Sequence, residues 1–444
     1  MGRCFRLLLM LSTLLPAGGV PAWPQETPGE TSTESWIERH RGELLGLYQH
    51  LHAHPELSYQ ETQTAARLSE ELRSAGAHVT TGVGKLGVVG VMENGPGPVV
   101  LVRTDMDALP VVEQTGLPYA SKVMARDRQG REVGVMHACG HDVHMTCFVG
   151  VARWLAAHRQ RWSGTVVLVA QPAEEAAGGA AGMLDDGLYT RFPKPDYALA
   201  LHCASNEPAG MVLYRAGPLL ASATSVAVTI RGQGGHGAWP HRTVDPIVMA
   251  ALAILDLQTI VSREIEPLEP AVLTVGSVHG GTKHNIIPDE VKLQITLRAF
   301  SEPVRLRLLE GIQRRVKALA QAHRGGEPSV EVEEYTPATV NDAELVARVV
   351  PLLKQALGDA RVRPTEPVMG AEDFALYARD GVPIMMFWIG TISSERLNQL
   401  RAQGIEPPPL HSASYRPDPE PSIATGIRAM TAAVVGLLPP QVAD

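Results

Sequence analysis

Cysteine is scarce here, with four residues in a chain of 444. Cys4 precedes an N-terminal apolar run, which leaves Cys139, Cys147 and Cys203 for the body of the protein. A disulfide scaffold uses cysteines in pairs, and an odd number argues against one. Positive charge is also short: lysine and arginine number 39 against 47 acidic residues, for a net charge of −8. That balance argues against nucleic acid and anionic membranes as partners. Beyond the N-terminus, no stretch reaches the roughly 20 apolar residues of a membrane-spanning helix. No internal repeat and no low-complexity tract is present, which excludes the repeat architectures.

What is present begins with a leader. Arg3 and Arg6 precede an apolar run over residues 7–15, followed by small residues up to Ala22. This pattern predicts a secretory signal cleaved after Ala22 and a secreted or periplasmic mature chain. Loss of the two arginines would take the net charge from −8 to −10. A Pro/Thr/Ser/Glu-rich stretch within residues 23–35 is expected to be a flexible lead.

Helical patterns then alternate with apolar runs that lack strict polar alternation, among them "LGVVGVM", "PVVLVRTD", "GTVVLVAQPAEE" and "DYALALHC". Such runs read as strands buried on both faces. The expected class is α/β, a mostly parallel sheet covered by helices, with polar residues delivered at the C-terminal strand ends. Over residues 217–336 the pattern changes to alternating strands and long helices in the order β-α-β-β-α-β, which predicts an inserted ferredoxin-like domain. The catalytic domain then comprises residues 36–216 and 337–444.

The chemistry concentrates at a few places. "VMHACGHDVHMT", residues 135–146, packs His137, Cys139, His141 and His144 together, with Asp142 placed to cap the following helix. A helix N-terminus favours a thiolate at Cys139. In "AQPAEEAAGG" a buried strand runs into Glu174 and Glu175, so that one carboxylate can ligate a metal while the other faces substrate as a base. His202 closes "DYALALHC", and His411 sits in a proline-rich loop. Together Cys139, His141, Glu175, His202 and His411 form a mixed N/O/S set that suits a pair of divalent ions better than a closed structural zinc site. The alternating His50, His52 and His54 have the look of a metal site by spacing alone.

The motifs "HACGHD", "AEE", "GGHGAWPH", "HNIIPD" and "MGAEDFA", in this order, resemble the amidohydrolase branch of the aminoacylase and carboxypeptidase G metallopeptidase superfamily. Hippurate hydrolases and indole-acetyl-amino-acid hydrolases belong to that branch, and the resemblance covers nearly the whole mature chain. It implies Cys139, His141, Glu175, His202 and His411 as metal ligands, with Cys139 bridging, and Glu174 as general base. It implies His236 as an oxyanion-stabilising group, often supplied by a partner subunit, and Asn285, Arg298 and Gly370 as holders of the substrate carboxylate. Arg103 stands where relatives outside the branch carry a ligating histidine, which leaves Asp105, His137 and His144 to orient the ligands, and His50, His52 and His54 as structural or surface residues. The expected cofactors are two divalent ions, zinc or manganese, with cobalt and nickel also compatible. The expected partners are a small N-acyl amino acid or dipeptide and, through the inserted lid domain, a second copy of the chain. A dipeptidase or carboxypeptidase would use the same machinery. A non-catalytic binding protein on such a scaffold is disfavoured, because every ligand and the base are present.

Overall fold

The computed structural model describes residues 32–440, so the expected signal segment lies outside the described residues. The first helix, Thr33–Ala53, begins inside the stretch expected to be a flexible lead. Its start is set by Ser32, whose side chain accepts a hydrogen bond from the Ser35 N–H at 3.2 Å. An N-cap of this kind fixes a helix start where polar composition alone reads as coil.

Eight strands form the main sheet, in the order His78–Val83, Gly87–Asn94, Gly164–Gln171, Val99–Asp105, Tyr197–Pro208, Ile384–Ile392, Val212–Tyr214 and Val362–Pro364. The sheet is mixed. Its heart, the four strands from Gly164–Gln171 to Ile384–Ile392, is parallel, and antiparallel strands flank it. Alternate residues serve opposite faces. Val100, Val102, Leu168, Leu199 and Phe387 pack against the long helices Thr33–Ala53, His141–Ala157, Ala343–Leu357 and Pro419–Leu437. Leu101, Val167, Val169, Ala198 and Met386 belong to a second core with Met183, Leu188, Phe374 and Tyr377. Burial on both faces explains why these strands read as unbroken apolar runs.

Residues 222–336 build a four-stranded antiparallel sheet, in the order Ala271–His279, Glu290–Ala299, Ser222–Arg231, Ser329–Thr336. Two helices, Pro246–Glu264 and Glu302–Ala322, cover one face and close a separate core around Leu257, Ile260, Leu293 and Leu308. The chain enters and leaves this lid along two paired segments, Gly217–Leu220 and Thr339–Asn341. Asn341 ties that pair to the main sheet, donating to the Arg215 and Met386 carbonyls and accepting from the Met386 N–H. The helix Pro246–Glu264 is long and apolar enough to cross a membrane by composition. Here it lays Met249, Ala253 and Leu257 on the lid core and leaves Ile247, Val248, Leu252 and Leu255 exposed.

Two sequence expectations change. The strand carrying His202 does not stop there but runs from Tyr197 to Pro208, because its partner Ile384–Ile392 extends alongside it. Asp142 does not cap the helix His141–Ala157, whose N-cap is the left-handed Gly140. Its carboxylate instead holds His52 Nδ1 at 2.6 Å, and His52 Nε2 meets Glu113 at 3.1 Å. His52 is therefore a buried structural residue that joins the first helix to the start of the ligand-bearing one.

Burial opposes a charge on His52, but its hydrogen bonds to Asp142 and Glu113 outweigh that and raise its pKa to about 9. A raised folded-state pKa stabilises fully below the ordinary value of about 6.5, and the gain is lost as pH rises through the folded value. His52→Gln should therefore cost up to about 3 kcal/mol at pH 6, and its difference from wild type should shrink by pH 9.5. Denaturant unfolding at the two pH values measures this; an equal cost at both would show that charge on His52 contributes nothing.

Candidate active site

The parallel strands end around a cavity of about 440 Å³, whose wall includes Cys139, Glu174, Glu175, His202, Glu372 and His411. Arg298 and Gly370 line it as well, from the lid sheet and from the loop after Val368. Cys139 stands just before the helix His141–Ala157, on a turn that only glycine can make. Gly140 has φ +82°, and a Cβ there would meet Cys203 Sγ at 2.9 Å. Glu174 and Glu175 lie on a tight loop bounded by Ala173 and Ala177, both with positive φ. His411 also has a positive φ, and its N–H donates to the Ala138 carbonyl at 2.8 Å, which brings the proline-rich loop against the Cys139 turn.

Five expected ligands converge. Cys139 Sγ lies 3.6 Å from His202 Nε2 and 3.3 Å from His411 Nε2, and His411 Nε2 lies 3.5 Å from Glu175 Oε1. Donor atoms of Cys139, His141 and His202 fall within 4.8 Å of one another, as do those of Cys139, Glu175 and His411. Two ligands of a tetrahedral ion with metal–sulfur and metal–nitrogen bonds of ordinary length stand about 3.5 Å apart. His141 Nε2 and Glu175 Oε1 are buried without a hydrogen-bond partner among the described residues. Spacing and orphaned donor atoms both fit two ions, with Cys139 common to both triads.

The orienting groups are also in place. His141 Nδ1 donates to the Asp107 carbonyl at 2.8 Å, which turns Nε2 toward the site. His144 Nδ1 meets Asp105 Oδ1 at 2.8 Å, and its Nε2 accepts from the Cys203 N–H at 2.9 Å. Asp105 is also held by Arg103 Nη1 at 2.6 Å. Arg103 is no ligand: its guanidinium is spent on Gln171, Asp105, Glu372 and Asp373. His137 differs from expectation. It is buried beside this cluster, yet neither ring nitrogen has a hydrogen-bond partner among the described residues, so it orients no ligand through one.

Burial, followed by the charges of Glu175 and Glu174, pushes the Cys139 thiol well above its ordinary pKa, in the direction opposite to the helix-terminus effect. Burial opposes a charge on His141, but Asp105, Asp107 and Glu175 overcome it and raise its pKa to about 10. Burial, partly offset by His141, lifts Glu175 to about 7, and burial with the Glu372 and Glu175 charges lifts Glu174 well above its ordinary value. A site with this excess of negative charge calls for cations, and their binding must displace protons from Cys139 and His141.

His236 and Asn285 are not brought into this cavity. They sit together on a short ribbon of the lid, Gly235–His236 paired with Ile286–Ile287, where His236 is exposed and Asn285 Oδ1 is unsatisfied among the described residues. Sequence reasoning missed three acids that the site uses. Asp107 accepts from the Glu174 N–H at 3.1 Å, the Glu175 N–H at 3.0 Å and the Ser58 hydroxyl at 2.6 Å. Glu61 accepts from the Ala173 N–H at 2.7 Å. Glu372, in "MGAEDFA", enters the cavity wall. Only Asp107 carried a signal, as a second acid two residues beyond Asp105 at a strand end.

Donor triads beside a carboxylate, at the ends of parallel strands, can activate water against a carbonyl. Fold and site together define a metal-dependent hydrolase of amide bonds on an α/β scaffold. Residues 101–406 match the model of Peptidase family M20/M25/M40, and the chain belongs to that family. It is similar to thermostable carboxypeptidase 2 of Saccharolobus solfataricus, 36% identical over 82% of this chain and 88% of that protein. Hippurate hydrolase of Campylobacter jejuni is 36% identical over 76% of this chain and 85% of its own length. A crystal structure of the Bacillus subtilis YXEP protein, a dinuclear metal binding peptidase from the M20 family, superposes with a TM-score of 0.73 at 28% identity, covering 90% of this chain and 99% of that one.

Cys139 belongs to both donor triads, so its removal should weaken each of them. Cobalt-substituted wild type is expected to show a thiolate-to-cobalt charge-transfer band and about two ions per chain, and Cys139→Ala to lose the band and bind about one ion or fewer. Optical spectra with elemental analysis decide this. Full occupancy in the variant would remove Cys139 from the ligand set.

Proposed function

We propose that this protein hydrolyses the amide bond of N-acyl or N-aroyl amino acids, releasing a carboxylic acid and a free amino acid. The observation that carries the reading is the part of the cavity wall formed by Arg298 and apolar side chains. Arg298 reaches it half-buried, and no carboxylate among the described residues pairs with its guanidinium. Leu220, Val368, Trp388 and Leu410 supply an apolar lining beside it. An unpaired guanidinium beside an apolar wall suits a substrate with one carboxylate and an uncharged acyl group. A dipeptide would bring an additional free ammonium group to the acyl side.

The residues divide the work. Cys139, His141, Glu175, His202 and His411 would hold two divalent ions, which supply the Lewis acidity that makes water a nucleophile at neutral pH. Glu174, on the loop that Asp107 and Glu61 hold in place, takes the proton from water as the oxygen attacks the acyl carbon and returns it to the departing nitrogen. Arg298 and the Gly370 backbone orient the substrate through its carboxylate.

His236 and Asn285 complete this scheme from a second copy of the chain. They lie outside the cavity of their own subunit, on a lid whose helix Pro246–Glu264 exposes Ile247, Val248, Leu252 and Leu255. From a partner, His236 would donate to the developing oxyanion and Asn285 would reach the substrate carboxylate.

Two experiments test the reading. Metal-loaded enzyme should release amino acid from hippurate and other N-acyl amino acids faster than from plain dipeptides, and Glu174→Gln should lower kcat by on the order of 10³-fold. Preference for dipeptides would transfer the assignment to a dipeptidase, and full metal occupancy without any turnover would favour a binding role. Mixing inactive His236→Ala and Glu174→Gln chains should restore roughly a quarter of wild-type activity, because half the dimers are hybrids with one complete site each. No recovery would place His236 outside the partner's site.

A further inference from the structure

Glu372 is not used by the ligand set, by the base or by the carboxylate anchor, yet it belongs to the cavity wall. One oxygen, Oε1, is committed: Arg103 Nη2 donates to it at 2.8 Å and the Phe374 N–H at 3.1 Å. The other, Oε2, is buried and has no partner among the described residues. Its neighbour Asp373 has both oxygens engaged, by Arg103, Gln171 and the Ala180 N–H. A buried acceptor left open in this way costs free energy unless something fills it.

The chemistry of the reaction says what fills it. Hydrolysis breaks the C–N bond as water oxygen bonds to the acyl carbon. One water proton reaches the nitrogen through Glu174. The second, shed by the new carboxylic acid, completes the ammonium, so a carboxylate and an ammonium leave. The nitrogen must come within hydrogen-bond reach of Glu174. Carboxylate oxygens of Glu174, Glu372 and Asp373 lie within 4.8 Å of one another. Two acceptors at ordinary hydrogen-bond length, on tetrahedral directions from one nitrogen, stand about 4.6 Å apart. One oxygen of Glu174 and one of Glu372 thus stand close enough for a single nitrogen to reach both carboxylates.

We infer that Glu372 Oε2 accepts a hydrogen bond from the leaving nitrogen and that, with Arg298, it makes this end of the cavity a receptor for the zwitterion of a free α-amino acid. The inference rests on the proposed hydrolysis of N-acyl amino acids. Arg103 and the Phe374 N–H hold the carboxylate by Oε1, which leaves Oε2 as its open acceptor. Gly370, two residues earlier on the same loop, borders the place of the amino-acid carboxylate. Glu372 is then a specificity-determining residue that favours α-amino acids over amines or acids with only one of the two groups.

The test compares L-phenylalanine with 3-phenylpropionate, which has the same carboxylate and ring but no amino group. Calorimetric binding to the metal-loaded protein, which needs no turnover, should show the amino acid at least about tenfold tighter. In Glu372→Gln that advantage should vanish, with 3-phenylpropionate affinity and metal content unchanged. Equal binding of the two ligands by wild type would overturn the inference without any variant. Equal weakening of both in Glu372→Gln would overturn it too, as the mark of a merely structural carboxylate. A change confined to the KM of dipeptides would place Glu372 at the acyl end and overturn it as well. Failure to hydrolyse any N-acyl amino acid would count against the proposed function alone, because the binding measurement does not depend on it.

Discussion

Negative charge that the protein's own cations only partly offset is the constraint around which this molecule is built. Asp105, Asp107, Glu372 and Asp373 are buried at the ends of the parallel strands, with Glu174 and Glu175 in the cavity wall beside them. The guanidinium of Arg103 faces three of the six, and among the described residues nothing else basic and permanently charged enters the cluster except Arg298 at the cavity edge. Burial first, and then the charge of neighbouring carboxylates, raises the pKa values of Glu174, Glu175 and Asp373. Such a cluster is stable either with protons taken up or with cations bound. The same feature that strains the site selects its cofactors.

The surrounding fold supplies what that strain requires. Left-handed backbone at Ala173, Ala177 and His411 is costly for residues with a Cβ. It persists because neighbours hold it: Glu61 and Asp107 take the amides of residues 173–175, and the Ala138 carbonyl takes the amide of His411. Glycine is spent where no side chain fits, at Gly140 against Cys203 and at Gly179, whose Cβ would lie 1.6 Å from the Pro172 carbonyl oxygen. His52 and Asp142 extend the same network outward to the first helix, so the ligand turn is braced from behind.

Much of this was legible beforehand. The parallel strands showed as apolar runs because both of their faces are covered, and the lid strands showed as alternation because only one of theirs is. The five candidate ligands stood out because cysteine, histidine and glutamate at strand ends and in loops are unusual company. Less legible were residues whose role depends on what faces them. Glu372 and Glu61 are ordinary acids in sequence and become site residues only when remote segments bring Arg103 and Ala173 to them.

By itself the sequence determined the class and the layers, because these follow from local periodicity, and it marked the candidate ligands through residue chemistry and motif resemblance. Tertiary structure alone decided protonation and partnership. Cys139 looked like a thiolate at a helix start, but burial among Glu175 and Glu174 makes it a thiol until a cation arrives. His50, His52 and His54 looked alike, and only packing made His52 a buried brace between two acids. His236 and Arg298 both looked like substrate contacts, and only the path of the lid put Arg298 in the cavity and left His236 outside it. Charge, burial and reach depend on distances between segments far apart in the chain, and those distances exist only once the chain has folded.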